Sequence, residues 1–127
     1  MAVHTEPRIY AFTADADLSA KQYHLVKVGT DQDHVAIGAA NTDKCIGVLM
    51  NAPELGESAE VALQGGGAKV KLGETVVAGD ELVCAADGRA ELANVLGDWV
   101  VCIAMDGGVA NDIVKVEVVQ HKAVEAE

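Results

Sequence analysis

Apolar residues in this chain fall in short alternating runs, and glycine or aspartate cuts them about every ten residues, the spacing of an all-β sandwich or barrel. "AKVKL" (Ala68 to Leu72) sets Val70 and Leu72 on one face and Lys69 and Lys71 on the other. "DIVKVEVV" (Asp112 to Val119) opposes Val114, Val116 and Val118 to Lys115 and Glu117, and "AEVALQ" opposes Val61 and Leu63 to Glu60, Ala62 and Gln64. A period of two places one face on a core and the other in water. "WVVCIAM" (Trp99 to Met105) is apolar on both faces and reads as a central, covered strand. "YHLVKV", "VAIGA", "CIGVLM" and "ELVCAA" complete the strand candidates.

Turn residues join the runs. Asp87-Gly88 between "ELVCA" and "RAELA" is a strong hairpin signal, and "VAGDE" and "MDGGVAND" are further Gly/Asp turns. Only "AELANVL" and "DLSAKQY" have the composition of a helical turn. At 127 residues, with 19 valines and four aromatics, the chain predicts one compact β domain of short antiparallel strands with an aliphatic core. Its expected limits are residues 13–119, after an N-terminal arm (1–12) and before a polar tail (120–127).

The formal charge of −11, from 20 acidic and 9 basic residues, opposes binding to nucleic acid or an anionic membrane. No apolar run approaches the length of a membrane span, and the N-terminus has no signal-like apolar stretch. Cys45, Cys84 and Cys102 lack CxxC spacing and sit among apolar residues, so they read as small core hydrophobes made in a reducing compartment.

"LQGGGAKVKLG" invites comparison with a phosphate loop. The Walker pattern counted from Gly65 needs Gly-Lys where Val70-Lys71 stands, and Val70 also occupies the last glycine of GxGxxG. A strand follows rather than a helix, so the stretch reads as a bend using the positive φ open to glycine. His4, His24, His34 and His121 are scattered without metal spacing, "DQDH" reads as a solvated turn, and neither Ser19 nor Ser58 lies in GxSxG. No catalytic, cofactor or metal residue is expected. The hairpin "VKLGETVVAGDELVCAADGRAELA" has the shape of a biotinyl or lipoyl carrier, but Asp87-Gly88-Arg89 stands where a carrier presents its lysine. A carrier or small-molecule-binding barrel is the alternative reading.

In order, "DLSAKQ" (Asp17 to Gln22), the segments Gly47 to Val61 and Gly67 to Ala90, "GDWVVCIA" (Gly97 to Ala104) and "DIVKV" (Asp112 to Val116) resemble the capsid decoration, or cement, proteins of tailed phages. The pattern runs from Ala14 to Val118; it departs at Cys102, where the family usually has glycine, and at Asn111, where asparagine tolerates the same left-handed backbone. The resemblance implies a non-enzymatic virion protein, made in the bacterial cytoplasm, that binds the major capsid protein outside the expanded head and stabilises it. A homotrimer is expected by analogy with other cement proteins, with a dimer as the other option. "EPRIYAF" (Glu6 to Phe12) admits two readings: a capsid-contacting arm using Arg8, Ile9, Tyr10 and Phe12, or the domain's own first strand.

Overall fold

The computed structural model describes residues 9–29, 31–65, 67–93 and 98–122, with side chains to residue 119. Ten strands are seen among them: β1 (Ile9–Ala14), β2 (Leu25–Val28), β3 (His34–Ile37), β4 (Cys45–Leu49), β5 (Ser58–Ala62), β6 (Gly67–Lys71), β7 (Glu81–Cys84), β8 (Ala90–Leu92), β9 (Trp99–Ala104) and β10 (Ile113–Lys122). The first five close a barrel in the order β1-β3-β2-β4-β5, and the other five form a sheet in the order β6-β10-β9-β7-β8. The all-β expectation holds.

Against the antiparallel expectation, β1 runs parallel to β3, pairing Thr13 with His34 and Ala14 with Val35. The cause is topological. Alternating directions cannot close a ring of five strands; with β3-β2, β2-β4, β4-β5 and β5-β1 all antiparallel, the remaining pair must be parallel.

Two packed regions result. Ala14, Leu18, Val26, Val35, Leu49, Ala59 and Val61 fill the barrel. The other face of the same wall contributes Leu25, Val48 and Ala62 to a larger core with the sheet residues Val70, Leu72, Leu82, Val101, Val114, Val116 and Val118. Adjacent residues such as Leu25 and Val26 are therefore both buried, on opposite faces. This explains why Ala62, read as solvent-facing from the alternation of "AEVALQ", is covered instead. The cleaner patterns hold: Val70 and Leu72 are buried with Lys69 exposed, as are Val114, Val116 and Val118 against exposed Lys115 and Glu117. Strand β9 lies between β10 and β7, as its apolar composition predicted.

"AELANVL" does not begin a helix. Ala90 to Leu92 satisfy their backbone against β7, with Leu82 opposite Leu92 and Cys84 opposite Ala90; residues 94–97 lie outside the described segments. In the glycine stretch Gly65 takes φ of 91° before β6 begins at Gly67, so the bend reading fits the backbone seen there. Asn111 also adopts the left-handed region, at φ 75°.

Of the two readings of "EPRIYAF", residues 9–12 take the intrachain one. Ile9 to Thr13 pair with Ala62 to Ser58 of β5, so the boundary placed between residues 12 and 13 falls inside β1. Glu6 to Arg8, like the rest of residues 1–8, lie outside the described residues. The tail proposed at residue 120 likewise begins inside β10, where His121 pairs with Val100 and Lys122 with Trp99.

Candidate functional site

The hairpin joining β7 to β8 is the element a carrier would need to expose. Its tip is instead docked on the barrel. Gly88, at φ 90°, accepts a hydrogen bond from the Leu25 N–H at 2.8 Å and packs against Ile37. Arg89 is turned aside, donating to Asp87 at 2.9 Å and to the Asn111 side chain at 2.9 Å. Covalent carriage needs a tip that reaches a partner enzyme, and this one is held down at both its backbone and its arginine.

Cys45, Cys84 and Cys102 are free thiols buried in the core between barrel and sheet, as their apolar flanks predicted. The neighbouring Cys84 thiol and burial push the Cys45 thiol far above its ordinary range, and burial does the same to Cys102. Both are therefore held as thiols, not the nucleophilic thiolates, at neutral pH. Asp15 and His34 form a pair on the barrel, at 3.2 Å. Thr13 lies between Ser58 and His34 in the strand register, yet among the described residues neither hydroxyl is hydrogen-bonded to the His34 ring. The nucleophile–base contact that would make this row a catalytic unit is lacking. No group of three metal-ligating side chains occurs among the described residues.

His24 is 5% exposed, and its ring Nδ1–H donates to the Gln22 carbonyl at 3.1 Å. Burial, helped by the charges of Lys21 and Lys71, lowers its pKa below the ordinary 6.5. The unfolded chain thus takes up a proton at a pH where the native ring does not. Stability is full above about pH 6.5 and falls as the pH drops towards the lowered native value, by at most about 1.4 kcal/mol per pH unit. Urea unfolding should give a lower midpoint at pH 5.5 than at 7.5, and His24→Gln should flatten the difference. Asp43 and Asp87, whose carboxyls are held below their usual range, act only in more acidic solution.

A groove of about 450 Å³ lies at the junction of barrel and sheet. Tyr23 and Met50 form its barrel side; Gly67, Ala68 and Lys69 of β6 form its edge, and Lys115, Val116 and Met105 its floor. Tyr23 is fixed by an uncommon backbone: at φ 68° its N–H donates to the Leu49 carbonyl at 2.7 Å and its carbonyl accepts from the Lys71 N–H at 2.9 Å. A left-handed non-glycine residue persists where its surroundings over-determine it, and here it ties the two β units together at the groove. None of the groove's residues was marked as a site residue by the sequence. Lys69 and Lys115 were legible as exposed strand positions, but nothing local placed them beside Tyr23 or Met50.

The site residues read from the sequence lie elsewhere. On β1, Ile9 is 42% and Tyr10 61% exposed, whereas Phe12 packs against the barrel interior. Arg8 is outside the described residues.

No family model matches the chain, and no curated protein matches it. Among solved structures it is similar to the N base of head fiber gp8.5 in bacteriophage phi29. That likeness has a TM-score of 0.69 at 18% identity and covers 92% of this chain and 98% of the other. The two chains share a fold over nearly their whole lengths, which defines this molecule as an all-β protein of that architecture.

Proposed function

We propose that the chain is a non-enzymatic structural protein of a phage virion, made in the host cytoplasm and bound to the outer surface of the expanded head, which it stabilises. The observation that carries this reading is the near-complete fold likeness to a head-fiber base. Fold alone does not dictate function. The ordered motifs from Asp17 to Val116, which resemble those of phage cement proteins, support the same reading independently. So do the docked hairpin tip and the burial of the thiols, Cys45 and Cys102 being held protonated, which offer little to covalent chemistry. On a shell, many copies act together, and modest individual contacts suffice.

In this reading the chain assembles as a homotrimer, and Arg8, Ile9 and Tyr10 meet the major capsid protein while Phe12 anchors the strand from within the barrel. Purified protein should co-sediment with expanded shells and not with procapsids, and Tyr10→Ala should weaken that binding about tenfold, the effect of losing an aromatic anchor. Equal binding to both shells, or to neither, would refute the role. Unchanged affinity for Tyr10→Ala would move the contact away from β1.

A further inference from the structure

We infer that the free edge of β6 is a docking site for an extended acidic peptide segment of a partner protein, which adds there as a further strand. β6 is an edge strand, paired with β10 alone among the described strands. Leu72 donates to the Asp112 carbonyl at 2.8 Å, so the even-numbered residues of β6 face β10. The odd-numbered ones face away, and the Lys71 N–H accordingly bonds the Tyr23 carbonyl instead. The N–H and C=O of Gly67 and Lys69 point to the same side, into the groove, where no backbone partner meets them among the described residues. An unpaired edge is a template for another strand.

Charge decides which strand. Lys69 stands directly opposite Lys115 in the β6–β10 register, at a non-hydrogen-bonded pair where side chains come closest. Like charges placed this way repel. Neither lysine has an ion pair among the described residues, although the chain carries 20 acidic side chains. Met105, 57% exposed, continues the row from Lys115, and Tyr23 and Met50 wall the other side. A strand alternating acidic and apolar side chains would set carboxylates against the lysines and apolar groups against the tyrosine and methionine. A second copy fits less well, because edge-to-edge pairing of two β6 strands would bring lysines against lysines. The proposal does not rest on the capsid-binding role.

The test uses the full chain and a fluorescent, end-capped hexapeptide alternating valine and glutamate, titrated in 150 mM NaCl with amide exchange followed at Gly67 and Lys69. Saturable binding is expected, with slowed exchange at those two amides. Lys69→Gln with Lys115→Gln should weaken binding at least tenfold. Gly67→Pro should do the same with both lysines intact: it removes an outward N–H and leaves the β10 ladder, and an added Cβ makes only an ordinary contact, 4.0 Å from the Val116 carbonyl. Wild-type-like circular dichroism of each variant excludes misfolding. Absent binding at 1 mM peptide would overturn the proposal, as would equal binding of a valine–glutamine peptide. Equal binding of a proline-interrupted acidic peptide would reduce the site to a charged patch and overturn strand addition. Self-association abolished by Gly67→Pro would assign the edge to a second copy, again overturning it.

Discussion

Gly47→Ala should leave little or no folded protein in the soluble fraction. Gly47 sits in β4, between β2 and β5, where the β2–β4 register also shifts between Val26 and Lys27. A Cβ added there would collide with the Ala62 carbonyl oxygen and crowd Val61. The obstacle is backbone belonging to the neighbouring strand, so no rotamer change relieves it; β5 itself must move. Yet Ala62 and Val61 are wholly buried and point into the two different cores, and moving β5 disturbs both. The expected loss exceeds about 4 kcal/mol, the exceptional end of single-substitution effects. A Gly67→Ala control, at an exposed strand position with room for a Cβ, should unfold within a few degrees of wild type. Soluble, cooperatively unfolding Gly47→Ala with near-native stability would show that the two strands do not approach as described.

Leu25→Ala should be the most damaging of the simple truncations, at about 2–5 kcal/mol. Leu25 is fully buried on the outward face of the barrel wall, within the core that joins barrel to sheet. Its backbone lies in the same seam: its N–H bonds the Gly88 carbonyl, and its own carbonyl accepts from Gly38 at 2.9 Å. The side chain therefore fills the space between elements that several backbone bonds hold at fixed separation, which limits how far a cavity can collapse. Val28→Ala, at the exposed end of the same strand, should change stability by less than about 0.5 kcal/mol. Differential scanning calorimetry should show the Leu25 variant melting roughly 8–20 °C lower, given the transition entropy of a domain this size. A shift as small as that of Val28→Ala would mean the barrel–sheet junction is not a cooperative part of the fold.

Much of the strand inventory could be read directly. The faces of "AKVKL" and "DIVKVEVV", the covered β9 and the Asp87-Gly88 hairpin all follow from local pattern. Ala62 was misread for one reason. Short apolar-and-polar runs on a two-cored scaffold do not reveal how many faces are covered. The groove was hidden more completely. Its walls come from Tyr23, Met50, β6, Met105 and β10, which meet only after barrel and sheet have packed.

By itself the sequence determined that the chain is β, where most strands and turns fall, and which side chains avoid water, because side-chain alternation and turn chemistry are local properties. Strand partners were decided only by the tertiary structure, since every backbone offers the same donors and acceptors and any edge can pair with any other. The parallel β1–β3 contact, the need for glycine at position 47, the burial of the Gly88 tip and the open edge at Gly67 and Lys69 all follow from that choice. Closing five strands into a ring and packing its wall on a sheet is a global constraint, and it fixes which edges are satisfied and which are left for a partner.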